Sequence, residues 1–186
     1  MAHVILGLLL IAPRSLYDLI KDFEAGVGLF YSASAGSIKR ALDGLLREGR
    51  IEVASTERSG RGRKTYRVTD SGREEFRSWM TGDVTGTDLE TAALARLHFL
   101  GLLEAGERPL VLRRIQARYA ADLARLTALE EELSTAEVPP EFHDIAAYQQ
   151  ATLDYGIATL RFALDWFQRI PGSAEPAEQA RENPRD

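Results

Sequence analysis

Two short runs of this 186-residue chain alternate apolar and polar residues at the period of a β-strand, while the segments around them repeat at the period of a helix. Ile51 and Val53 alternate with polar neighbours across 51–57, and Tyr66 and Val68 do so across 64–69. Between them lies Arg58-Ser59-Gly60-Arg61-Gly62-Arg63, a glycine-containing hairpin tip. The place of this hairpin in the order of helices decides the architecture.

Ahead of it, Val4–Ile11 is an apolar run of eight residues, too short for a membrane span and without the flanks of a signal peptide. Ser15 is placed to cap a helix, with Asp18 three residues on at the positive end of the dipole. Leu16, Leu19, Ile20 and Phe23 give that helix one buried stripe, and it should end near Gly26. A second cap at Ser34 leads into Ile38, Ala41, Leu42, Leu45 and Leu46, with Gly49 as a left-handed stop. The other face carries Ser37, Lys39, Arg40, Asp43 and Arg47. After the hairpin, 70–80 reads as a helix burying Phe76, Trp79 and Met80.

Helix, helix, helix, two-stranded hairpin, helix is the order of a winged helix-turn-helix, in which the third helix enters the DNA major groove and the hairpin tip reaches backbone or minor groove. The cap at Ser34 aims backbone N–H groups, including that of Gly36, at a phosphate, and Ser37, Lys39 and Arg40 lie where base edges are within reach. The wing supplies Arg58, Arg61, Arg63 and Lys64 as mobile cations. The stretch 58–67 holds five basic residues and no acidic ones.

The net charge of -5 is unevenly spread. Residues 1–80 carry 13 Lys and Arg against 10 Asp and Glu, a net of +3; residues 81–186 carry 10 against 18, a net of -8. The halves therefore face different partners, and the positive field of the first suits the phosphates of double-stranded DNA. The sign changes at the small, polar, glycine-rich segment 81–87, the expected linker between a DNA-binding domain (1–80) and a helical domain (88–170).

That second domain is helical throughout. Leu112, Tyr119, Leu126 and Leu133 recur every seven residues, with Ile115 and Leu129 interleaved and Asp122 as a polar break. Pro139-Pro140 forces a turn. The last helix carries Ile145, Thr152, Thr159 and Trp166 at seven-residue spacing, with Tyr148, Tyr155 and Phe162 between them, and a second apolar face of Ile157, Leu160, Leu164 and Phe167. A helix apolar on two faces needs more than one neighbour, and a second copy of the chain is the economical one. The tail 171–186, rich in Pro, Ala and Glu, reads as disordered. The fold class is mainly α with a small β-hairpin: an N-terminal winged helix-turn-helix plus a C-terminal helical dimerisation domain.

Other chemistry is excluded residue by residue. Without cysteine there is no thiolate site. His3, His98 and His143 have no second ligand at metal spacing, and neither Gly26-Val27-Gly28 nor Gly60-Arg61-Gly62-Arg63 completes a nucleotide motif. No acid, base and nucleophile converge, so neither an enzyme nor a cofactor is expected, and the chain reads as cytoplasmic.

Three segments resemble the PadR-like family of transcriptional regulators. They are Ile5-Leu6-Gly7-Leu8-Leu9 followed by Leu16-Tyr17-Asp18-Leu19-Ile20; Ser34-Ala35-Gly36-Ser37-Ile38-Lys39-Arg40-Ala41-Leu42 with Leu45 and Gly49-Arg50-Ile51; and 62–69 with Gly72-Arg73. The resemblance implies a homodimeric regulator, usually a repressor, whose DNA affinity falls when a small aromatic or drug-like effector binds. Lys39 stands where the family commonly has tyrosine, so an ammonium replaces a phenol at a phosphate contact.

A two-fold dimer would read an inverted-repeat operator with half-sites about one helical turn apart. Tyr148, Tyr155, Phe162 and Trp166 are expected in the dimer core; the alternative is an aromatic effector slot between subunits using Tyr155, Phe162 and Trp166, with Trp79 or His98 contributing. A winged-helix scaffold that docks a partner protein without sequence-specific DNA binding is the competing function.

Overall fold

The computed structural model describes residues 1–56 and 62–171, in two compact units, Met1–Val111 and Leu112–Asp186. In the first, α1 (Ala2–Ile11) is apolar almost throughout, and Val4, Ile5, Leu6, Leu8 and Leu9 are all buried. That is possible because α2 (Leu16–Ala25), α3 (Ala35–Arg47) and α4 (Asp70–Thr81) pack around it. At Gly7 a Cβ would lie 2.8 Å from the ring of Phe99, so this helix admits no side chain there.

Local signals place these helices. Ser15 and Asp18 form a complete capping box on α2, Ser34 caps α3, Thr69 caps α4, and Asp88 caps α5 (Leu89–His98). Gly49 takes φ +69°, and Arg50 N–H bonds the Leu45 carbonyl at 2.9 Å, closing α3 in the manner expected.

The hairpin strands are β2 (Ile51–Thr56) and β3 (Lys64–Val68), antiparallel, with a register shift between Val53 and Ser55. The sheet has three strands rather than the expected two: β1 (Arg14–Ser15) pairs with β3 on its other edge, Arg14 opposite Tyr66 and Ser15 opposite Thr65, in the order β1-β3-β2. A two-residue strand has no period to read, and Ser15 serves as strand end and helix cap together. The unit is a winged helix-turn-helix, and the chain as a whole is mainly helical.

The expected boundary at 81–87 does not coincide with the division between units, which falls after Val111. Residues 83–88 are non-helical, but Val84 is buried, and Arg96 of α5 donates to the carbonyls of Trp79 and Asp83 at 3.2 and 3.3 Å. These contacts place α5 in the first unit.

The second unit is an antiparallel helix pair made from α6 (Arg108–Ser134) and α7 (His143–Gln168), with α6 entering from the first unit. Tyr119 stacks on Phe167, centroids 5.5 Å apart, and Gln116 Nε2 donates to the Phe167 carbonyl at 3.1 Å. Midway along α7, a Cβ on Gly156 would lie 3.2 Å from Leu126 Cδ1, so the helices approach closely there. Ile157 and Phe167 are buried on this face. The expected disordered tail lies, but for Pro171, outside the described residues.

Candidate nucleic-acid interface

The first turn of α3 is built by its cap. Ser34 Oγ accepts the N–H of Ser37 at 3.2 Å, and Ser37 Oγ donates to the Ser34 carbonyl at 2.7 Å. Gly36 is exposed between them, and a Cβ there would come no closer than 3.7 Å to any neighbour, at Arg40 Nη1, so the space over the turn is open. Lys39 Nζ is 2.7 Å from Asp43 Oδ2, one helical turn on. The Asp43 hydrogen bond and charge raise the Lys39 ammonium above its ordinary value. Such an exposed pair is weak and yields readily to a phosphate. Arg40 is exposed and forms no ion pair among the described residues, so its guanidinium is uncommitted.

The wing differs from the expectation of mobile cations. Arg63 donates from Nε to Ser15 Oγ at 3.0 Å and from Nη2 to Asp18 Oδ1 at 2.6 Å, which binds it to the capping box of α2. Its guanidinium carbon also lies 5.9 Å from the centroid of Tyr17. Arg67 is paired with Glu52 at 2.6 Å. Lys64 is exposed and unpaired among the described residues, whereas Arg58 and Arg61 lie outside them. The Asp18 carboxyl is held below the usual carboxylate range, first by the backbone N–H of Ser15, then by its hydroxyl and by Arg63.

Of the residues considered for an aromatic effector, Trp79 and His98 belong to the first unit and Tyr155, Phe162 and Trp166 to the second. Tyr155 and Phe162 lie exposed on α7, 74% and 65% accessible, and Trp166 is edge-on to Phe167 with centroids 5.2 Å apart. His98 packs between Phe30 and Phe99, at 5.3 and 4.7 Å. Trp79 instead lines a cleft of about 530 Å³ within the first unit, to which His98 does not contribute.

The sequence reading missed that cleft. Its walls include His3, Tyr31, Glu75, Trp79 and Arg96. His3 stacks on Trp79 at 4.8 Å, and its imidazole is kept below its ordinary value by burial, against the opposing pull of Glu75. The signal available was Arg96 itself, an arginine in the otherwise Ala- and Leu-rich stretch 92–97. Among the described residues no group of three or more His, Cys, Asp or Glu could hold a metal ion, and no helix is long and apolar enough to cross a membrane.

Residues 5–78 match the model of the transcriptional regulator PadR-like family, and residues 92–171 match that of the virulence activator alpha C-terminal region. A Mycobacterium tuberculosis protein named "Probable transcriptional regulator Rv1176c" is 24% identical over 90% of this chain and 94% of its own. Two crystal structures of Bacillus subtilis PadR are also similar. The complex with operator DNA is 22% identical, with TM-score 0.41, over 90% of this chain and 94% of that one. The complex with p-coumaric acid is 25% identical, with TM-score 0.40, over 89% and 93%.

Proposed function

The chain belongs to the PadR-like family of transcriptional regulators, and on that premise we propose that it is a cytoplasmic homodimeric repressor that reads an inverted-repeat operator and is released by a small aromatic effector. It is a transcriptional regulator rather than an enzyme. In this reading Ser34, Gly36, Ser37, Lys39 and Arg40 meet the major groove, and Lys64 with Arg58 and Arg61 meets the backbone. Arg63 moves from DNA contact to holding the wing on α2.

One observation carries the dimer. Within its unit α7 buries Ile157 and stacks Phe167 on Tyr119 of α6, yet Ile145, Tyr148, Tyr155 and Phe162 stand exposed at heptad spacing along it. An apolar stripe of that length on a soluble helix calls for a partner, and a second α7 matches it residue for residue. The helical domain, 88–170 in this functional sense, then spaces two α3 helices for half-sites about one turn apart.

Selection of random duplexes by the purified protein at two salt concentrations tests this. An inverted repeat is expected. Arg40→Ala should then cost about 1–3 kcal/mol on that repeat and relax its sequence preference, whereas Arg61→Ala should weaken all duplexes alike and lower the salt slope by about one. No enriched sequence, with only salt-labile binding, overturns the reading in favour of a protein-docking scaffold. Loss of transcription on deletion of the gene would replace repression with activation.

A further inference from the structure

The wing is joined to α2 by a ladder that stops early. Strand β1 pairs only Arg14 and Ser15 with β3, opposite Tyr66 and Thr65. Arg14 is itself tied to α2, its Nε donating to Asp22 Oδ2 at 3.0 Å. Past Thr65, toward the tip, the tie passes from main chain to side chain, where the Arg63 fork reaches Ser15 and Asp18.

The acceptor it reaches is fully committed. Ser15 is 2% exposed, and its hydroxyl donates to Asp18 Oδ2 at 2.8 Å while accepting the Asp18 N–H at 3.3 Å and Arg63 Nε at 3.0 Å. One proton given and two lone pairs filled is the whole capacity of a hydroxyl. Asp18 divides its carboxylate: Oδ2 accepts the Ser15 N–H at 2.9 Å and serves the cap, and Oδ1 is left for Arg63. Exposed ion pairs add little to folding. A planar guanidinium on two neighbouring acceptors fixes direction as well as distance, which a lone ammonium would not. Directly before it, Gly62 turns the chain with φ +65°, a conformation open to glycine. The pinned residue thus adjoins the segment that carries Arg58 and Arg61.

We propose that Asp18 and Ser15 are positioning residues for DNA binding: through Arg63 they latch the wing to α2, so that Lys64, Arg58 and Arg61 meet the duplex in one pose with α3. The inference rests on the DNA-reading function proposed above and adds a requirement that runs against simple charge. An anion on a surface that meets phosphates ordinarily opposes binding. Here its removal weakens binding, because a wing fixed beforehand need not be ordered when DNA arrives.

The test separates cap from latch. A capping box accepts either Glu or Gln at its third position, so Asp18→Glu keeps cap and carboxylate, whereas Asp18→Gln keeps the cap alone. Full-length variants, each checked for helical content by circular dichroism, are titrated across a salt series with the duplex that the native protein selects. Asp18→Glu should retain most of the native affinity. Asp18→Gln should bind about fivefold more weakly per wing, near the upper limit for an exposed pair, although it carries one negative charge fewer. Arg63→Gln should lose as much with an unchanged salt slope, since a carboxylate and not a phosphate holds that cation. The double variant should be no weaker than either single one. Unchanged or tighter binding by Asp18→Gln, equal losses in Asp18→Glu and Asp18→Gln, additive losses in the double variant, or a slope lowered by about one in Arg63→Gln each overturn the latch. If Asp18→Gln does not fold, the slope of Arg63→Gln decides. A native protein that selects no duplex removes the DNA reading itself, whereas selection indifferent to the Asp18 charge removes the latch alone.

Discussion

Helices α1 and α7 are both apolar beyond what one neighbour can cover, and they meet that demand differently. Around α1, three helices of the same unit bury Val4, Ile5, Leu6, Leu8 and Leu9. Along α7, helix α6 takes one face, and Tyr148 is left 79% exposed. An apolar helix announces how much neighbouring surface it needs; only the packed unit tells whether its own chain provides it. Helix starts differ between the units as well: α2 to α5 of the first begin on side-chain caps at Ser15, Ser34, Thr69 and Asp88, whereas α7, like α1, has no side-chain cap at its start.

The strongest challenge to this contrast is Leu6→Ala. It should destabilise the first unit by about 2–5 kcal/mol, the usual cost of emptying a packed leucine site, and calorimetry should find the loss at low and high protein concentration alike. Next comes Phe162→Glu on the open face of α7, which should weaken self-association by about 2 kcal/mol or more if this residue anchors the interface. Sedimentation would then find the mass halved at micromolar concentration with the helical content of the monomer kept; an undiminished dimer would end the parallel drawn between the two helices.

Ser34→Ala probes the difference in helix starts. Removing the α3 cap should cost about 1 kcal/mol, read as a lower denaturation midpoint, while a substitution at exposed Phe142 should cost no helix-start energy of that kind. The smallest effect is acid sensitivity at the α2 cap. The folded-state pKa of Asp18 is lowered, so its contribution is fully present above the ordinary carboxylate range and is lost as pH falls through that lowered value. An acid titration should therefore bring the stability of the native protein toward that of Asp18→Asn, and a constant gap between the two would remove the role given to this carboxylate.

Much of the first unit was legible because its signals are local. Ser34 and Gly49 bracket α3, Ser15 with Asp18 starts α2, and 51–57 and 64–69 alternate; each feature acts over four residues or so and leaves its mark in order along the chain. The strand at Arg14–Ser15 was not legible, since two residues carry no period and its pairing with Thr65 and Tyr66 is made across about fifty residues. The basic character of 58–67 was plain from composition, but the commitment of Arg63 to Asp18 depends on how the sheet sets β3 beside α2. The cleft was hidden for the same reason: His3, Tyr31, Trp79 and Arg96 belong to four separate stretches, and no spacing links them.

By itself, then, the sequence determined the helix order, the caps, the hairpin, the charge asymmetry and the apolar excess of α7, because propensity, capping and periodicity are short-range properties of neighbouring residues. Tertiary structure alone decided which cations remain uncommitted, which arginine is tied to the α2 cap, and which face of α7 stays open. Burial and charge pairing depend on what the fold brings within a few ångströms, and that distance is indifferent to separation along the chain.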